Sequence, residues 1–285
     1  MNNTTEDILN KISISATGKT FYYNRDTLRN LLKKILSKKT DNKFLFILSP
    51  PYCGSTLLNE IISTSNNVSV NNNEGTREGQ GLPLVRDIMF NHDRRWDESL
   101  DFDWKFIKNE WMKYWDLTAP ILLEKSPPNL IRARSINKYF NPSYFIILCR
   151  NPYAHVESLM RREKWTAERA AEFVIRCLKN QRRNLESFQY AILLSYEELT
   201  DNPVQTLELL RNFLPELSDI NIEREFNAHN FKNKRMKIAN LNSEKISHFS
   251  PTELERIYSV FKLNDDIISF FNYEILEVKI GQSGN

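Results

Sequence analysis

The sequence predicts an α/β fold, a three-layer arrangement on a parallel sheet of about five strands with extra helices at both ends. Three observations carry that reading. Continuous apolar runs of strand length recur, as in FLFIL at 44–48 and YFIILC at 144–149. Each run leads through a turn-rich stretch into helical periodicity. The runs are apolar throughout rather than alternating, as in strands covered on both faces.

Taken in order, apolar spacing over residues 6–37 predicts a helical lead-in that ends in the basic cluster LLKKILSKK. FLFIL is the first strand; SPPYCGST is its turn, and TLLNEIIST begins a helix. VSV at 68–70 is a short apolar segment, followed by the polar loop NNNEGTREGQG. Residues 82–91 and 102–115 read as helices, with Trp104, Trp111 and Trp115 near helical spacing and suited to core packing. ILLEKSPP at 121–128 is a short strand entering a double-proline turn, and NLIRARSINKYF continues as helix. After YFIILC, residues 153 to 188 form a long charged helical region. YAILLSYEELTDNP then holds one more strand, and a helix runs from Pro203 to Leu214. The last seventy residues read as mostly helical.

Composition narrows the function. Hydrophobic residues make up 41% and charged residues 26% of the 285, which supports a sizeable core and excludes wholesale disorder. Only seven residues are glycine, which argues against collagen-like, linker-rich or propeller architectures. The 39 basic and 36 acidic residues leave a net charge of +3, far from that of a dedicated nucleic-acid binder. Any anion site must therefore be local. Three scattered cysteines offer no disulfide framework and no CxxC pair, and the four histidines lack ligand spacing, so no metal is expected. The N-terminus lacks a secretory pattern, and no apolar run approaches ~20 residues, so a cytoplasmic protein without an integral membrane segment is expected.

In an open parallel sheet, ligands bind beyond the carboxyl ends of the strands. After the first strand, Gly54 permits a tight bend, and Ser55 and Thr56 stand at a helix start where backbone N–H groups converge on an anion. The stretch resembles a phosphate-binding loop, although a plain helix cap also fits it. It is not a GxxxxGK[ST] loop and carries no lysine before the Ser/Thr pair, which disfavours an ordinary kinase or ATPase. Arg150 ends the strand at 144–149, with Pro152 opening a helix and Ser158 and Arg162 farther along it. An arginine there grips a phosphate bidentately. Two anion sites on one sheet suggest a ligand with two anionic groups.

SPPYCGSTLL and FIILCRNPYAHVESL, about a hundred residues apart, resemble the 5′-phosphosulfate loop and the 3′-phosphate motif of sulfotransferases. These enzymes use 3′-phosphoadenosine 5′-phosphosulfate (PAPS). LLEKSPPNLIR resembles the EKxP segment of heparan-type and bacterial members, and LLSYEELTDNP resembles their YEDL-xxNP segment. The four motifs keep the family's order over roughly 40 to 215.

The resemblance implies one sulfotransferase-like domain over 1–285, with a lead-in at 1–40, a nucleotide-binding core at 41–216 and a mostly helical extension at 217–285. It implies that the loop Tyr52, Cys53, Gly54, Ser55 and Thr56 holds the 5′-phosphosulfate. Arg150 and Ser158 would hold the 3′-phosphate, with Arg162 as a second cationic contact. Tyr196 would sit near the nucleotide, and KIAN at 237–240 would match the segment that closes over it through Lys237 and Asn240. Glu74 is the implied catalytic base, with Glu78 as the other candidate. The chain departs from the pattern at Tyr52, where most members carry lysine or arginine, and Lys125 is the compensating cation. The implied reaction moves a sulfuryl group from PAPS to an acceptor hydroxyl and releases adenosine 3′,5′-bisphosphate (PAP), without a metal. Carbohydrate, tyrosine and small-metabolite acceptors all stay open. The alternatives are a silent nucleotide-binding relative, motivated by Tyr52, and a small-molecule kinase.

Overall fold

The computed structural model describes residues 27–30, 32–33, 41–222, 226–228, 234–236 and 238–277. Five parallel strands form one sheet: β1 Lys43–Leu48, β2 Val68–Val70, β3 Ile121–Glu124, β4 Ser143–Cys149 and β5 Ala191–Ser195, in the order β2-β3-β1-β4-β5. The central position of β1 explains its apolar run, since Leu45 through Leu48 are all essentially buried.

The pleat of the sheet divides the core in two. Phe44, Phe46, Phe145 and Ile147 face one side, and Leu45, Ile47, Ile146 and Leu148 face the other. Helix α1, Ser55–Ile62, packs on the second face with α6, Tyr196–Asp201, and α7, Pro203–Phe213. The first face carries α2, Trp104–Tyr114, α3, Ala133–Tyr139, α4, Pro152–Glu163, and α5, Ala167–Ser187. Helix α8, Asn242–Ile246, lies against α4, while α9, Pro251–Lys262, and α10, Asp265–Phe270, pack on α5. The fold is three-layer α/β, as the sequence predicts.

The predicted tryptophan core is present. Trp104, Trp111 and Trp115 are fully buried, with successive ring centroids 6.2 and 6.0 Å apart in edge-to-face contact.

Four stretches differ from the sequence expectation. Residues 82–91 form successive turns rather than a helix, because Pro83 is followed by Leu84 at φ 64°. The region after ILLE is a 3₁₀ turn, Pro127–Ile131, before α3. The long helix at 153–188 is two helices, broken where Lys164 turns left-handed at φ 58° and Thr166 caps α5. The C-terminal region contains an antiparallel ribbon, β6 Phe226–Ala228 with β7 Lys234–Met236. Of the predicted N-terminal lead-in, 27–30 and 32–33 are helical, and the remainder lies outside the described residues.

Candidate functional site

The turn after β1 is shaped by two left-handed residues, Tyr52 at φ 67° and Gly54 at φ 89°. Gly54 is the N-cap of α1 and brings no side chain to cap it, which leaves the first-turn amides as donors for an anion. A Cβ on Gly54 would lie 2.6 Å from Cδ2 of Tyr196, so the close approach of backbone to that ring requires glycine. A left-handed aromatic residue costs on the order of 1–3 kcal/mol. Tyr52 is held there from both ends. Its carbonyl accepts from Nη1 of Arg150 at 2.9 Å, and its hydroxyl donates to Oε1 of Glu163 at 2.5 Å. Burial and the Glu163 carboxylate push that hydroxyl up to about 12. Cys53 is buried, and desolvation drives its thiol well above the usual range, so it packs rather than reacts.

Arg150 leaves the end of β4 just ahead of α4, which Asn151 caps through Tyr153 N and Ala154 N. Its guanidinium is fixed on three sides. Nε donates to Oδ1 of Asn242 at 2.8 Å, Nη1 holds the Tyr52 carbonyl, and Cζ lies 4.1 Å from the Tyr196 ring centroid. Nη2 is buried and has no protein partner, although the residue is only 6% exposed. A buried unpartnered donor on a fixed cation is costly unless an anion meets it.

Ser158 lies two turns along α4 and receives Nζ of Lys245 at 2.8 Å. Lys245 also pairs with Glu157 at 2.7 Å. Burial raises the Glu157 carboxyl, yet its bonds to Lys245 and Arg161 outweigh that and hold it below the ordinary range. Glu197 orients the group from behind, accepting from Asn151 N at 2.9 Å, from the Asn242 amide and from the Tyr273 hydroxyl.

The third strand end supplies a buried cation. Lys125 is 2% exposed, with Nζ 3.1 Å from Oγ1 of Thr56 and 3.0 Å from Oε1 of Glu78. The other oxygen of Glu78 accepts from the Gln80 amide. Glu124 anchors this loop by accepting from Gly79 N at 2.8 Å and from Ser126 N at 3.0 Å, while Trp111 donates to the Gly79 carbonyl at 3.1 Å. A Cβ on Gly79 would fall 2.7 Å from Glu124 Oε1, so this approach also needs glycine. Burial pushes the Glu124 carboxyl up to about 7, against its hydrogen bonds.

The three strand ends meet at one cavity of about 820 Å³, whose wall includes Gly54, Thr56, Lys125, Arg150, Ser158 and Tyr196. Arg162 lines it as well. Glu78 lines it and Glu74 does not; Glu74 donates its amide to Asn72 Oδ1 instead. From the KIAN segment, Ile238 and Ala239 reach the wall, and Tyr196 donates to the Ala239 carbonyl at 2.9 Å. Asn240 bonds Asp201 at 2.8 Å and Asn242 N at 3.0 Å rather than the cavity, and Lys237 lies outside the described residues. Sequence reasoning missed Asn242, Lys245, Glu197 and Gln80. Glu197 is part of the quoted YEEL segment, so its place beside a motif tyrosine was a usable signal. Asn242 and Lys245 carried none.

Among the described residues, no three His, Cys, Asp or Glu side chains gather as a metal site, and no helix is long and apolar enough to cross a membrane. The curated proteins compared with the chain yield no match. Among solved structures, the chain is similar to the sulfotransferase domain from the curacin biosynthetic pathway, at TM-score 0.53 and 18% identity over 83% of this chain and 100% of that one. It is also similar to the sulfotransferase domain from the Synechococcus PCC 7002 olefin synthase, at TM-score 0.50 and 19% identity over 84% and 98%. A third is a sulfotransferase from Alicyclobacillus acidocaldarius, at TM-score 0.50 and 14% identity over 84% and 98%. At such identities the likeness carries the fold. The model of the sulfotransferase family matches residues 45–219, more than half the chain and the span that builds the sheet and the three strand ends, so the protein belongs to that family.

Proposed function

We propose that the protein transfers a sulfuryl group from PAPS to an acceptor hydroxyl and releases PAP. The observation that carries this reading is Arg150, a cation clamped by Asn242, Tyr52 and Tyr196 with one buried nitrogen unpartnered. That nitrogen, with Lys245 and Ser158, suits a 3′-phosphate. The uncapped first turn of α1 suits the 5′ group at the other end. The residues present therefore fit a nucleotide with two separated anionic groups.

When bound, the donor supplies a sulfuryl group whose bond to the 5′-phosphate oxygen breaks as the acceptor oxygen bonds to sulfur. The chain's part in such a transfer is positioning and charge stabilisation. Lys125 reaches the start of α1 through Thr56, so it serves the bridging oxygen in place of the cation that Tyr52 does not provide. Glu78 is the base that takes the acceptor proton, because it lines the cavity beside Lys125, and Gln80 holds its second oxygen. The role expected of Glu74 thus passes to its neighbour four residues on.

The test is calorimetric titration with PAP, with 5′-AMP and magnesium-ATP as controls. Selective binding of PAP is expected. Equal affinity for PAP and 5′-AMP defeats the assignment of Arg150, and preference for magnesium-ATP moves the protein to kinase chemistry.

A further inference from the structure

Part of the cavity wall is not used by the nucleotide assignment. That part is aromatic: Phe173 lies edge-on between Trp96 at 5.0 Å and Trp165 at 5.3 Å, and Phe90 lines the cavity as well. Arg95 also lines the cavity. Its Nη1 donates to the Phe90 carbonyl at 2.9 Å, its Cζ lies 5.1 Å from the Phe90 ring centroid, and among the described residues no carboxylate pairs with it. Arg162 lines the same cavity. Unmet buried polar atoms include Oε1 of Gln80, a cavity-lining residue that bonds Glu78, and Nε2 of His155, whose ring centroid lies 6.4 Å from that of Phe173.

The wall is built rather than incidental. Arg132, buried and stacked 4.1 Å over Phe102, donates to the backbone carbonyls of Arg95 at 2.7 Å and Asp97 at 3.1 Å. Glu98 ties the same loop to α5 through Asn180 at 2.8 Å and Arg183 at 3.2 Å. Arg95 and Trp96 are thereby held in place before any acceptor arrives.

Resting on the sulfuryl-transfer reading above, we infer that the acceptor is a small hydroxylated molecule with a flat apolar body and a carboxylate or equivalent anion. The rings take the body, Arg95 takes the anion, and Glu78, held by the Gln80 amide, takes the proton of the acceptor hydroxyl. A sugar presents a hydroxyl on nearly every ring carbon, and each needs a partner when desolvated. The aromatic wall supplies ring faces and a cation instead. The volume agrees, since pockets of roughly 300–1,000 Å³ hold drug-sized ligands and the ~820 Å³ here must take both nucleotide and acceptor.

The experiment reads binding directly, through quenching of tryptophan fluorescence from Trp96 and Trp165. 4-Hydroxyphenylacetate, its neutral analogue 4-ethylphenol and methyl glucoside are titrated into the protein with and without saturating PAP. The hydroxyaryl carboxylate should bind saturably and about tenfold tighter than 4-ethylphenol, the worth of one charge-assisted contact. In Arg95→Gln the preference should fall to near one, and Arg95→Lys should keep part of it. Equal binding of the two phenols, preference for methyl glucoside, or an undiminished preference in Arg95→Gln overturns the inference. Failure of PAP to bind while the carboxylate still binds in an Arg95-dependent way retains this pocket and removes the sulfuryl-transfer reading instead.

Discussion

Replacing Arg150 with alanine separates a ligand contact from a structural one. Two of its three guanidinium nitrogens are spent on the protein, on Asn242 and the Tyr52 carbonyl, and the third is unpartnered. The first two are indifferent to the ligand, so their loss weakens every nucleotide alike and costs about 1–3 kcal/mol of stability for the acceptors left buried. On the proposed reading, the third nitrogen meets the 3′-phosphate. A charge-assisted hydrogen bond contributes about 1.5–3 kcal/mol, which is a change of roughly 10- to 150-fold in affinity. The PAP to 5′-AMP affinity ratio, measured by calorimetry in wild type and Arg150→Ala, cancels the structural part. It should fall by that factor, and Arg150→Lys should restore only part, since a lysine keeps the charge without the planar fork. If Arg150→Ala weakens both nucleotides equally and leaves the ratio unchanged, the unpartnered nitrogen does not mark the 3′-phosphate.

Three further outcomes are expected. Gly54→Ala puts a Cβ 2.6 Å from the Tyr196 ring at φ 89°; it should cost at least ~1–2 kcal/mol by chemical denaturation and abolish PAP binding. Glu78→Gln should lower kcat by roughly 10²–10⁴-fold in a labelled-PAPS assay, the usual worth of a general base, whereas Glu74→Gln should stay within about threefold. His155 is buried, and desolvation first, then Arg150, drive it down to about 3. A depressed base is neutral in the folded state and charged in the unfolded one below its ordinary value of 6.5, so stability falls with acidification. Between pH 6.5 and 5 the loss should be roughly 1.5 kcal/mol, and urea titrations of His155→Gln should lack that increment.

The sheet was legible because its strands are buried on both faces and therefore read as unbroken apolar runs, as FLFIL and YFIILC show. Two carboxyl-end residues were legible for the same reason, since once a strand's end is known, Gly54 and Arg150 follow from topology, whereas Lys125 was implied by the resemblance of the EKSPP segment. What escaped depends on backbone geometry or on distance along the chain. Residues 82–91 have helical spacing, but the left-handed Leu84 after Pro83 breaks the ladder. Glu74 and Glu78 are both loop carboxylates; only the hydrogen bonds of Gly79 to Glu124 and Trp111 turn the second toward Lys125. Asn242 and Lys245 sit in a polar stretch with no local sign that they fold back onto α4.

That return has a consequence for how the chain becomes competent. Arg150 is bridged to a residue 98 positions earlier and to another 92 positions later, and Lys245 reaches back 87 positions to Ser158. A nascent chain released only to the end of the family match at 219 can complete the sheet but not the grip on Arg150. An anion meeting Arg150 and Lys245 together thus pins the tail to the sheet, adding about 2.7 kcal/mol at a hundred times its dissociation constant. Resistance of the C-terminal third to proteolysis should therefore report occupancy at the far end of β4.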